Sequence, residues 1–200
     1  MAVGPDLGPG REFDLIRSFL SDDGGLPEGV IVGPGDDCAV LEGGLVVSVD
    51  LTAEGVHFRP EWISWREAGY RAVAAALSDL AAMAAEPLGV LLSLALPRTA
   101  GEAVAEEIVA GGREAMQHHS VPLLGGDLTA SASGVVLDAV VLGRARAPTL
   151  RTGSRPGDEV WVTGRLGGSA TAVDLWTLGQ TPPPGIRDAF VRPRPRIQEA

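Results

Sequence analysis

The sequence contains no lysine: its 16 basic residues are all arginines, set against 26 acidic ones for a formal charge of −10. That balance argues against nonspecific nucleic-acid binding, which draws on basic patches to displace phosphate counterions. It also excludes a Walker A loop, whose lysine reaches the terminal phosphates of a nucleotide. A chain of this composition that handles phosphates must neutralise them with metal ions, arginines and backbone N–H groups. Cysteine is almost absent too. Cys38 stands alone, so no intrachain disulfide can form and a reducing cytoplasm is the expected compartment. Long apolar runs are missing as well. The longest, "AVAAALSDLAAMAAEPLGVLLSLALP", is broken by Asp79, Glu86 and Pro87, so no membrane span is expected. The N-terminus lacks the basic-then-apolar order of a secretory signal, and no internal repeat is evident.

What is present suits a globular protein. Hydrophobic residues make up 45% and charged residues 21% of 200, enough for one substantial core, or for one domain and part of another. Strands are predicted at "LVVSVD" (45–50), "VLLSLAL" (90–96), "GVVLDAVVLG" (134–143) and "DEVWVTG" (158–164), all rich in valine and leucine. Helices are predicted over 12–20, with Phe13, Ile16 and Leu20 on one face, over the Ala-rich stretch 66–85, and over 101–119. Alternating helices and strands give an α/β or α+β fold. The segment "RARAPTLRTGSRPGD" is rich in arginine, glycine and proline and marks a boundary between a domain over 1–148 and the start of another over 149–200. Beyond it, "VTGRLGGSATAVDLW" suggests a strand, a glycine turn and a helix, while the end after "TPPP" shows no core-forming pattern.

Acidic residues repeatedly end apolar runs: Asp36 and Asp37 in "GDD", Asp50 in "SVD", Asp79 in "LSDLAAM" and Asp127 in "LLGGD". A carboxylate placed there costs several kcal/mol to desolvate unless it is paired. Converging carboxylates suit Mg²⁺, which takes oxygen ligands and commonly holds substrate phosphates too. Each position also has a plainer reading. Asp36 and Asp37 can terminate a turn, Asp50 can cap the turn after its strand, and Asp127 can belong to a simple Gly-Gly-Asp turn. Asp79 is harder to explain away, because it interrupts an apolar helix between Leu77, Leu80 and Met83. Alone, His57 reads as a half-buried strand histidine, and His118 and His119 as complements to a helix dipole. Cys38 reads as a small packing residue, and Trp62 and Trp65 as core or interface residues.

Taken in order, "GPGDDCAVL", "SVDLTAEGVHF", "LSDLAAMAAEP", "VPLLGGDLT" and "LRTGSRPGDEVWVTGRLGGSA" resemble the N-terminal portion of the thiamine-monophosphate kinase family. That family belongs to a wider group of ATP-dependent enzymes with aminoimidazole-ribonucleotide synthetase and selenophosphate synthetase. The resemblance implies a mixed sheet flanked by helices, followed by the start of a second α/β domain, and a homodimer formed through the sheet. It implies ATP- and Mg²⁺-dependent phosphorylation of thiamine monophosphate to thiamine diphosphate. Positioning and metal ions would do the catalysis, with no catalytic side chain. Carried over by motif, Asp37, Ser48, the backbone of Val49, Asp50, Asp79 and Asp127 would be metal ligands. Gly125, Gly126, Asp127, Arg151 and His119 would meet the nucleotide, and His57 the thiamine phosphate.

The chain departs from the family at three points. Val49 stands where threonine is usual, and His119 where tyrosine is common. The resemblance also ends about two-thirds of the way along a family member, ahead of its "DISDGL"-like and "GGEDY"-like stretches, so the chain is expected to be a fragment of a longer protein. Two alternatives remain: another ATP-dependent enzyme of the same group, of the selenophosphate synthetase or hydrogenase-maturation kind, or a non-catalytic nucleotide-binding or dimerisation module.

Overall fold

A computed structural model of the chain describes residues 25–197 together with Asp14, Leu15 and Ser18. The helix expected over 12–20 therefore lies largely outside the described residues. In chain order come β1 (Val30–Val32), β2 (Ala39–Leu41), β3 (Leu45–Ala53), α1 (Trp65–Ala82), β4 (Glu86–Pro97), α2 (Glu102–His118), β5 (Leu123–Ser131), β6 (Val136–Arg144), α3 (Gly168–Thr177) and α4 (Pro184–Val191). The strands form one mixed sheet in the order β1-β2-β3-β6-β4-β5. Only β4 and β5 run parallel, joined by the crossover helix α2. All other neighbours are antiparallel.

Helix α1 begins with a capping box, in which Ser64 and Glu67 satisfy each other's backbone N–H groups. It ends three residues before the predicted stop. Met83 caps it, Ala84 turns left-handed at φ 51, and the Ala85 N–H returns to the Leu80 carbonyl at 2.8 Å, closing the helix with a Schellman-type bond. Helices α1 and α2 touch backbone to backbone. A Cβ on Gly69 would sit 2.0 Å from the Ile108 carbonyl oxygen, and one on Gly111 would sit 1.8 Å from that of Arg66.

Both helices cover one sheet face, burying Val46, Val73, Leu77, Leu80, Val90 and Val141 in one apolar cluster. A second cluster joins Phe58, Ile63, Leu94, Ile108 and Leu137 to Ala172 of α3 and Phe190 and Val191 of α4. Trp62 stacks on Trp176 with ring centroids 5.5 Å apart, and Trp176 meets Phe190 edge-on. Trp62 and Trp65 are thus packing residues at this junction, as expected, and Cys38 is buried in the first cluster.

The structure corrects three expectations. Residues 158–164 form no strand; Val160 and Trp161 are 94% and 84% exposed. Among the described residues no neighbouring strand pairs with this segment, and an extended segment without a partner is not stable in water. The end of the chain is not patternless, because α4 starts on Pro184 and buries Phe190 and Val191. Finally, β5 forms where no strand was expected. Gly125, Gly126 and Asp127 are poor strand formers, but pairing with β4 from Val90 to Pro97 holds them extended.

Among the described residues no helix covers the other sheet face. Side chains alternate along each strand, so Ala139 and Val141 face the helices while Asp138 and Val140 face outward. Register then places Val49, Val140 and Leu91 in one outward row and Leu51, Asp138, Ser93 and Asp127 in the next. Val49 and Leu51 are 62% and 54% exposed.

Candidate metal and nucleotide site

The turn before β2, the middle of β3 and the last turns of α1 meet on the helix-covered side of the sheet. Ser48 and Asp50 point to that side from β3, and Asp79 meets them from α1. The Ser48 hydroxyl donates to Asp79 Oδ2 at 2.6 Å, with the Asp37 carbonyl oxygen 3.1 Å away. The Asp37 carboxylate is paired with the Arg151 guanidinium. Asp36 serves the backbone instead, accepting the N–H groups of Asp37 at 2.9 Å and Arg151 at 3.1 Å. Asp36 therefore fixes the turn and brings Arg151 to its neighbour's side chain.

The electrostatics are those of crowded anions. Burial lifts the Asp79 carboxyl above its ordinary value; the Ser48 hydrogen bond opposes this, while Asp50 and Asp37 push it further up. Asp50 is raised by burial and by Asp138, with His57 and Arg71 pulling it back. Beneath them the Cys38 thiol is pushed up to about 12 by burial, Asp79 and Asp37, so it stays protonated and acts as packing. His57 receives the Ala53 N–H on Nδ1 at 3.0 Å. Its ring proton then sits on Nε2, free to be donated to a ligand.

The expected ligand set divides in two. Asp37, Ser48, Asp50 and Asp79 share one neighbourhood. Asp127 lies on β5, three strands from β3 in the sheet order, which is roughly 14 Å at ordinary strand spacing. Among the described residues no three Asp, Glu, His or Cys side chains gather into a ligating cage. The donors are nonetheless hard oxygens, suited to an ion that keeps several waters and takes one or two carboxylates together with substrate phosphates. The Val49 side chain faces the open side of the sheet, which leaves only its backbone to contribute.

Around Asp127 the two glycines differ. A Cβ on Gly126 would lie 1.9 Å from the Leu92 carbonyl oxygen, so β4 itself requires glycine there. At Gly125 the nearest atom would be 3.5 Å away, an ordinary contact that leaves the position open to a ligand. His119 ends α2, with its ring 5.0 Å from His118 and its Nε2 buried without a partner. Burial and His118 lower its pKa, so it does not supply the dipole-complementing charge.

Two residues went unnoticed in the sequence. Arg71 interrupts the same Ala-rich helix as Asp79, the one cation in its apolar middle. Asp138 interrupts "VVLDAVV" in β6, and its Oδ1 is buried with no hydrogen-bond partner. Asp138 shares a small cavity of about 80 Å³ with Ser93, Asp127 and Thr129. A charge inside an apolar run was the available signal in both cases.

A mixed sheet backed by two crossing helices, with carboxylates and a serine hydroxyl brought near one another where strand and helix ends meet, defines a class. Residues 35–145 match the family model for AIR synthase related protein, N-terminal domain, and the chain belongs to that family. More narrowly, it is similar to thiamine-monophosphate kinases. It is 37% identical to that of Rhodopirellula baltica over 88% of this chain and 54% of the relative, and 35% identical to that of Bacillus subtilis over 93% and 61%. The solved structure of AaThiL complexed with AMPPCP and TMP superposes with a TM-score of 0.81 at 27% identity, covering 96% of this chain and 61% of that one. The chain thus spans a little over half the length of the curated relatives it matches.

Proposed function

We propose that this chain is the nucleotide- and substrate-binding part of a thiamine-monophosphate kinase, which transfers the γ-phosphoryl group of ATP to thiamine monophosphate and yields thiamine diphosphate. The observation that carries the proposal is the meeting of Asp37, Ser48, Asp50 and Asp79 beside Arg151 and His57. It is supported by similarity over most of the chain to kinases of that name. The acceptor is already an anionic phosphate oxygen, so no general base is needed. The difficulty is to bring two polyanions together, and positioning and charge neutralisation address it.

Asp37, Asp50 and Asp79, with Ser48 and the Val49 carbonyl, would hold Mg²⁺, which would spread the charge of the β- and γ-phosphates when bound. Arg151, anchored by Asp36, would exchange its hold on Asp37 for the nucleotide phosphates. His57 would donate from Nε2 to the thiamine-phosphate substrate. From β5, Asp127 would be a further ligand, with Gly125, Gly126 and, at the end of α2, His119 toward the nucleotide. In this reading residues 1–148 form the binding domain and 149–200 begin a second. The open sheet face carrying Val49 and Leu51 pairs with a second copy to make a homodimer. Among the described residues no helix is long and apolar enough to cross a membrane, and the lone buried Cys38 suits the cytoplasm. Calorimetric titration of ATP with Mg²⁺ tests the site. Asp50→Asn and Asp79→Asn should each weaken binding roughly 10- to 100-fold; full affinity in both would overturn the assignment.

A further inference from the structure

Glu54 follows the end of β3 and opens the turn that carries His57, yet no step of the proposed reaction uses it. The turn closes largely on itself. The His57 N–H donates to the Ala53 carbonyl oxygen at 2.9 Å, and the Gly55 N–H to that of Phe58 at 2.8 Å. Gly55 is left-handed at φ 80, a conformation that suits glycine. The imidazole completes the turn, because its Nδ1 accepts the Ala53 N–H at 3.0 Å. Such local bonds shape a turn but do not fix where it stands on the sheet. Glu54 does that. The β3–β6 ladder ends at the Ala53–Val136 pair. One residue further on, the Glu54 N–H donates to the Val135 carbonyl oxygen at 2.9 Å, and the Val135 N–H donates to Glu54 Oε2 at 2.8 Å. The carboxylate thus adds a rung beyond the end of the backbone ladder. Val135 is buried, so without Glu54 its N–H would lose its partner away from water. The Ser131 hydroxyl donates to the Gly134 carbonyl oxygen and tightens the β5–β6 turn on which Glu54 rests. On the far side of His57, Phe58 is buried in the second apolar cluster, edge-on to Trp65. His57 itself is exposed between these two anchors.

We propose that Glu54 is a positioning residue for His57: bonded to Val135, its carboxylate holds the turn in place, so that the imidazole keeps Nδ1 on the Ala53 N–H and presents its Nε2 proton to the substrate phosphate. This rests on the reading of His57 as the thiamine-phosphate contact. A neutral imidazole carries its proton on one nitrogen only. A turn that slips off β6 loses the Ala53–Nδ1 bond, both tautomers become populated, and Nε2 donates only part of the time. The carboxylate is suited to the task because its bond to a backbone N–H is charge-assisted. What the position requires is an acceptor oxygen at that reach. An amide of the same length supplies one, and a methyl group does not.

The test compares the 200-residue chain with Glu54→Ala and Glu54→Gln, by nuclear magnetic resonance of isotope-labelled histidine and by calorimetric titration of thiamine monophosphate and of ATP with Mg²⁺. His57→Gln assigns the His57 signal among the three histidines. In the unsubstituted chain His57 should show the Nε2–H tautomer alone, and the Val135 amide should be protected from hydrogen exchange. Glu54→Ala should mix the tautomers and weaken thiamine-monophosphate binding roughly three- to tenfold, with ATP binding unchanged. Glu54→Gln should restore the single tautomer and most of the affinity. A single Nε2–H tautomer with undiminished thiamine-monophosphate binding in Glu54→Ala, or equal losses in the two variants, would overturn the positioning role and leave the substrate reading intact. Absence of thiamine-monophosphate binding in the unsubstituted chain would overturn the substrate reading, and the tautomer comparison would still decide what Glu54 does. Where Glu54→Ala fails to fold, the unsubstituted chain decides: mixed His57 tautomers or fast exchange at Val135 would overturn the role.

Discussion

Asp79 shows how much of a site a single side chain can carry. It sits in a helix otherwise filled with alanine and leucine, and its partner is a serine hydroxyl rather than a cation. Two further carboxylates raise its pKa on top of burial. The consequence for stability follows from that direction. A carboxyl whose folded value lies above its unfolded one stabilises the fold when protonated; the gain is complete below the unfolded value and vanishes as pH rises through the folded one. At neutral pH, ionised Asp79 therefore costs the cation-free fold some stability. Asp79→Asn keeps the size and a hydrogen-bonding oxygen while removing the charge, so it should raise the melting temperature of the EDTA-treated chain by a few degrees. The same variant should lose the stabilisation that Mg²⁺ gives the unsubstituted protein. Differential scanning calorimetry with EDTA and with Mg²⁺ reads both, and a lower melting temperature for the variant in EDTA would contradict the assignment. Such an exchange of stability for function is what a binding site with unpaired charge predicts.

Individual elements were unevenly legible in the sequence. Helix α1 was plain, because its Ala-rich run favours helix throughout and Pro87 follows it. Strands β3, β4 and β6 were plain for the same reason, being valine- and leucine-rich throughout. The failures have physical causes. Residues 158–164 have the composition of a strand, but composition cannot provide the neighbour a strand must bond to. Strand β5 has glycines where strands rarely put them, and only its register against β4 makes it extended. The eight residues of α4 are too short to hold a helix by propensity alone. It is fastened by Phe190, by Arg71 and by the two-pronged Arg187–Glu67 pair. Contacts between residues more than a hundred positions apart leave no periodic trace. The site followed the same rule: Asp37, Asp50 and Asp79 were each visible as anions after apolar runs, whereas Arg71 became meaningful only once α4 was placed on it.

At the scale of the molecule, the described residues cover one face of the sheet with helices and leave the other without them. That second face holds rows of apolar side chains with Asp138 and Asp127 among them, a surface that a monomer would leave in water. The proposed pairing with a second copy would cover it and also shield the strand edges. A charge placed in the middle of that face should prevent pairing without entering the core. Leu51→Asp should therefore sediment as a monomer where the unsubstituted chain sediments as a dimer. A monomeric unsubstituted chain would contradict the pairing.

The direct measurement is calorimetric titration of the 200-residue chain with ATP and with thiamine monophosphate, each in Mg²⁺ and again in EDTA. The proposed function predicts that ATP binds with Mg²⁺ and is lost with EDTA, and that thiamine monophosphate binds beside it. No binding of ATP, or ATP binding that is equally tight in EDTA, would contradict it.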